Sequence, residues 1–104
     1  MTLIVYLQRS NRPDKKYMVT IGRKTIHFGS KGASDFTRHK NEVKRKAYVS
    51  RHKARENWGK SGIKTAGFWS RWLLWSKPSL TKAITYMNKK FNISIKRGKP
   101  PKRN

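Results

Sequence analysis

Four carboxylates make up the whole acidic inventory of this chain: Asp14, Asp35, Glu42 and Glu56. Acid–base or two-metal chemistry needs two such groups, or one with a histidine, held close together. Their settings point elsewhere. Asp14 ends the stretch Asn11-Arg12-Pro13-Asp14, a turn in which Pro13 presets one backbone dihedral. Asp35 follows Ser34, the expected N-cap of a helix, where a negative side chain meets the positive helix end. Glu42 has Lys46 four residues on and is placed to pair with it along a helix. His39 and His52 are thirteen residues apart, a rotation of about 220° on a continuous helix, so they are expected on different sides. His27 falls on a strand. The chain has no cysteine, and no carboxylate stands by to complete a histidine site, so neither metal nor cofactor is expected.

Two motifs come nearer to chemistry. Tyr17, then Ile26-His27-Phe28-Gly29-Ser30, then Arg38 and His39, faintly resemble the layout of the GIY-YIG nucleases. That module works through a tyrosine, an arginine and a downstream glutamate around one metal, and the spacing here departs from it. The loop GSKGAS, residues 29–34, leads into a helix start, a geometry that can hold phosphate. It lacks the spacing of a nucleotide-binding P-loop, and a plain strand-to-helix turn is the expectation. The chain is therefore expected not to be an enzyme.

Charge is the stronger signal. There are 27 Lys and Arg against 4 Asp and Glu, a formal net charge of +23. Such a chain repels itself and calls for a polyanion, either nucleic acid or the acidic faces of other proteins. Residues Asp35 to about Glu56 read as one helix with a narrow seam of Phe36, Val43, Ala47 and Ala54, widened by Tyr48 and Val49. The rest of its surface is basic, and Arg38, Lys40, Lys44, Arg45, Arg51, Lys53 and Arg55 are the expected polyanion contacts. The arginines, with planar forked donors, are the better clamps.

Against this charge stands GFWSRWLLWS, residues 67–76. On a helix Trp69, Trp72 and Leu73 share one face, and Phe68 and Trp75 form a second. A segment apolar on nearly all sides is buried on nearly all sides. Trp58, Phe68, Trp69, Trp72 and Trp75 are thus candidates for the core or for anchors in a protein interface.

These segments need a scaffold. With 104 residues, 35% of them hydrophobic, the chain supports one small domain. Its start, MTLIVYLQRSN, reads as a strand rather than a secretory leader. The longest apolar stretch is about half of the roughly 20 residues that a membrane helix needs, so no membrane span is expected. Leu3–Arg9, Tyr17–Ile21 and Thr25–Phe28 alternate as strands, with Gly22-Arg23-Lys24 as a hairpin connection. A second helix is expected over Ala66–Trp75 and a third from an N-cap at Ser79 to Phe91, with Asn92 as the residue that ends it. Ile93 and Ile95 suggest a short last strand. The expected fold is α+β, an antiparallel meander of three to four strands packed against two or three helices. It occupies residues 1–95, and residues 96–104, KRGKPPKRN, form a basic extended tail.

The runs KYMVTIGRKTIHFGSKGASDFTRHK and YVSRHKARENWGKSGIKTAGFWSRWLLWSKPSL resemble small basic proteins of large nucleocytoplasmic DNA viruses, those of algae and their giant-virus relatives. The resemblance spans about residues 16–92 and rests on SDFTRHK, RHKARENW and GFWSRWLLW. It implies a viral setting and location in the virion, and it carries no activity or functional residues, the family being one of unknown function. The leading expectation is a non-enzymatic virion structural protein, a minor capsid protein that bridges or cements larger capsid subunits through their acidic faces. The alternative is a sequence-nonspecific DNA-binding protein of the virion core.

Overall fold

Two hairpins build the first thirty residues. In a computed structural model, which describes residues 2–101, β1 (Leu3–Arg9) pairs antiparallel with β2 (Lys15–Ile21), setting Leu7 opposite Val19. β2 pairs antiparallel with β3 (Lys24–Ser30). Ile21 faces Lys24 across the second turn, leaving Gly22 and Arg23 as its two loop residues. Gly22 supplies the positive φ, +59°, that such a tight turn requires.

The chain then crosses one face of the sheet through its helices and returns as β4 (Ile93–Arg97). β4 joins the free edge of β1, so the strand order is β3-β2-β1-β4. It runs parallel to β1, with Leu3 opposite Ile93. The sheet is therefore mixed, not the purely antiparallel meander expected, although antiparallel pairs predominate. A crossover through helices brings the last strand back in the direction of the first, which a hairpin cannot do. β4 also extends to Arg97, and the amide of Gly98 donates to the carbonyl of Leu7 at 2.8 Å, so Lys96 and Arg97 belong to the sheet rather than to the tail. The end of that tail, residues 102–104, lies outside the described residues.

Alternation selects the covered face. Val5 and Leu7, Val19 and Ile21, Ile26 and Phe28, Ile93 and Ile95 are buried beneath the helices, as period-two patterning demands. α4 (Leu80–Phe91) lays Ala83, Met87 and Phe91, each four residues from the next, on this surface. Its boundaries follow the sequence signals: the Ser79 side chain accepts from the amide of Lys82, and Asn92 closes the helix at φ 53°. The fold is α+β. Among the described residues no helix is long and apolar enough to cross a membrane.

Two helices differ from expectation. The single helix from Asp35 is broken into α1 (Phe36–His39) and α2 (Glu42–His52). Lys40 turns left-handed at φ 54°, and the Asn41 side chain accepts from the amides of Val43 and Lys44, opening a new helix. An asparagine at this position competes for the backbone more effectively than it propagates a helix. The N-cap of α1 is Asp35 rather than Ser34. The supposed apolar seam does not exist as such: Phe36 is buried, Val43 is 76% exposed, and no residue of α2 is buried.

The second departure lies in the tryptophan segment. α3 (Ala66–Trp69), capped by Thr65, gives way at Ser70–Leu74 to a wider π-helical turn. Phe68, Trp69, Leu73 and Leu74 all reach the core, an arc broader than the stripe of an ordinary amphipathic helix.

Candidate polyanion-binding surface

The aromatic candidates divide by depth. Phe68 and Trp69 are fully enclosed, at 0% exposure. The Trp69 indole N–H donates to the carbonyl of Ile63 at 2.7 Å, so even its polar edge is satisfied internally. Trp72 is half-buried. Its ring meets Phe91 edge-on at 5.4 Å, and its N–H donates to the carbonyl of Trp58 at 2.8 Å. The Arg71 guanidinium lies 4.5 Å from the Trp72 ring centroid and 5.3 Å from that of Trp58, and donates to the carbonyl of Trp75 at 3.0 Å. Burial lowers the pKa of Arg71 from its ordinary value. Phe68 and Trp69 thus belong to the core, while Trp58, Trp72 and Trp75 are half-buried at its edge.

The break between α1 and α2 also redirects the histidines. Instead of diverging, they meet one aromatic stack from opposite ends. His39 lies 5.3 Å from Trp75, Trp75 lies 4.3 Å from Tyr48, and Tyr48 lies 4.4 Å from His52. Trp58 stacks beyond Tyr48 at 6.4 Å. The Tyr48 hydroxyl donates to Ser70 Oγ at 3.4 Å. Burial raises the Tyr48 pKa and the nearby charge of Glu56 adds to this, outweighing the Ser70 hydrogen bond and the charges of Arg71 and Arg51. Among the described residues no three His, Cys, Asp or Glu side chains stand close enough to hold a metal ion. Tyr17 and Arg38 line one cleft, whereas Glu56 lines another, so the nuclease-like trio does not share a cleft.

Charge occupies the remaining surface. Arg38, Lys40, Lys44, Arg51, Lys53 and Arg55 are exposed on α1, α2 and the turn that follows. Arg45 is the exception in this group: it is half-buried, pairs with Glu42 at 2.7 Å and lies 5.6 Å from the Phe36 ring centroid. Glu42 therefore pairs three residues on, with Arg45, rather than four residues on with Lys46. Among the described residues the other ion pair joins Lys16 to Asp35.

A second basic region brings together residues that are far apart in sequence. A cleft of about 450 Å³ is lined by Arg9, Lys15, Lys16, Lys31 and Arg38, together with Ser10, Tyr17, Gly32, Asp35 and Thr37. Only Arg38 among these cations was singled out from the sequence. Lys31 lies in the GSKGAS loop, whose capacity for phosphate was the one local hint. Arg9 and Lys15 flank the first turn and gave no signal of their own.

Residues 5–52 are similar to a family of unknown function (DUF5754). That stretch runs from β1 to the end of α2 and stops before the tryptophan segment. It holds every basic residue of the cleft. No curated protein and no solved structure matches the chain.

Proposed function

We propose that this chain is a non-enzymatic protein that binds nucleic acid without sequence preference, as a component of the virion its sequence resemblance implies. One observation carries the reading: α2 buries none of its residues, yet it holds an exposed basic surface against which only Glu42 stands as a counter-charge. A helix that contributes so little to the core and so much uncompensated charge is suited to lie along a phosphate backbone. The enclosure of Phe68 and Trp69 removes those two rings as protein anchors, since a ring fully inside its own domain cannot grip a partner, whereas Trp58, Trp72 and Trp75 are half-buried.

A minor capsid protein bridging acidic faces of larger subunits is the second reading. It draws on the sheet face away from the helices, where Ile4 is 44% exposed and Tyr6 and Met18 are half-buried.

The deciding experiment is binding to a mixed-sequence DNA duplex across a salt series. The nucleic-acid reading requires a logarithmic slope of about −0.9 per phosphate contacted and loss of binding when Lys44, Arg51 and Lys53 are changed to Glu. Absence of binding at low salt rejects it.

A further inference from the structure

The cleft at the turn end of the first hairpin collects four cations from four separate segments. Arg9 comes from the end of β1 and Lys15 from the start of β2. Lys31 comes from the turn after β3 and Arg38 from α1. The backbone fixes this convergence. Arg9 stands opposite Tyr17 and Lys15 opposite Ser30 in the sheet, and the Lys31 amide donates to the carbonyl of Asp14 at 2.9 Å. The cluster is thus a product of topology rather than of a basic run in the sequence.

Its internal compensation is already spent. Among the described residues Asp35 is the one carboxylate on the cleft wall. It is 2% exposed and accepts from the amide and hydroxyl of Thr37 and from Lys16 Nζ. Lys16 also donates to the carbonyl of Ala33. This buried pair cancels one charge of each sign and ties β2 to α1. Arg9, Lys15, Lys31 and Arg38 remain, and none of their side chains has a hydrogen-bond acceptor among the described residues. Four like charges facing one concavity concentrate positive potential there, and their free donors are complementary to the acceptor oxygens of an anion. The two guanidiniums offer the planar forks that suit phosphate oxygens, and the two ammoniums add point charge.

We propose that this cleft is a seat for a backbone phosphate of nucleic acid, with Arg9 and Arg38 as its forked donors and Lys15 and Lys31 as its flanking charges. The assignment rests on the nucleic-acid reading above and adds a fixed anchoring point to it. The cleft exceeds the volume of one phosphate group and leaves room for the sugars on either side. α2 then supplies the non-localised contacts, while the cleft holds the strand at one place.

Two changes of equal charge separate the possibilities: Arg9→Ala with Arg38→Ala in the cleft, and Arg23→Ala with Lys24→Ala at the far hairpin turn. All four residues are exposed. With a mixed-sequence DNA duplex as probe, the cleft pair is expected to weaken binding about tenfold or more. It should also make the salt slope shallower by about 0.9, one phosphate contact. The control pair should cost distinctly less. Equal losses from both pairs, with the wild-type protein binding normally, overturn the seat and leave the general reading standing. A wild-type protein that does not bind DNA removes both. As a check free of variants, titration with a dinucleotide bearing one internal phosphate should shift the amide resonances of Lys31, Thr37 and Arg38 before those of α2. Shifts spread evenly over the basic surface would reject the seat.

Discussion

Tyr48 and Trp75 lie face to face, with 4.3 Å between ring centroids and 1° between planes. Tyr48 is half-buried on a helix with no fully buried residue, and Trp75 follows the π-helical turn built on the core. This pair is one attachment of the basic helix to the body of the protein, beside the Tyr48–Ser70 hydrogen bond and the Arg45–Phe36 contact. Changing Trp75 to Ala should therefore loosen α2 while the sheet stays folded. The expected cost is about 1 kcal/mol beyond the lost area. Hydrogen exchange should quicken across residues 42–52 and stay slow in β1 and β2; uniform acceleration would show that α2 is not a separable unit.

The same stack predicts an alkaline signature. Because burial raises the Tyr48 pKa, the folded state keeps a proton that the unfolded state loses above about pH 10. Stability from this group is complete below that pH and declines as pH rises toward the folded-state value. Tyrosinate absorbance should contain a late-titrating contribution that Tyr48→Phe removes.

Deeper in the molecule, Trp69 leaves no room for compromise. Trp69→Ala should destabilise the fold by about 3–5 kcal/mol, combining lost burial with a cavity, and should leave the Ile63 carbonyl without its indole donor. Chemical denaturation measures this directly. A loss below about 1 kcal/mol would contradict its placement at the centre of the core.

Asp35→Asn breaks the buried pair with Lys16 and weakens the cap of α1. Removing one partner of such a pair costs about 3–5 kcal/mol. The paired change Asp35→Asn with Lys16→Met should recover part of that loss, since it leaves no unmatched charge. No recovery in a denaturation series would mean that Asp35 acts through its cap alone.

Gly62 tests the loop that receives the indole donors. A Cβ there would sit 2.1 Å from the carbonyl oxygen of Asn57, a backbone atom that cannot rotate away. Gly62→Ala should cost about 1–3 kcal/mol by overpacking and should change the fluorescence of Trp58. Gly67→Ala, whose Cβ would meet the movable carboxylate of Glu56, should be milder.

Local rules reached some of these features and not others. The strands were legible because alternate residues of β1, β2 and β3 are apolar, and α4 was legible because Ser79 and Asn92 mark its ends. The break at Lys40–Asn41 carried a signal that was open to reading. Asn41 followed by Glu42 is a good helix start, but an unbroken basic pattern around it suggested continuity. The π-helical turn had no local signal, because an ordinary helix also satisfies GFWSRWLLWS. The edge that β4 joins depends on the path of the whole crossover. The cationic cleft was invisible for a similar reason: Arg9, Lys15, Lys31 and Arg38 become neighbours only after both hairpins close and α1 docks through Asp35.

The pairing of β4 with β1 has a consequence for how the molecule is made. Leu3 waits for Ile93, its partner ninety positions later. Until then β1 presents an unpaired edge, even after α4 has emerged. During synthesis such an edge is a template for pairing with a neighbouring chain, and a contact of such long sequence separation slows folding. The last strand to emerge is therefore the one that closes the sheet, and a chain halted before Ile93 should accumulate as aggregate rather than as a smaller soluble domain.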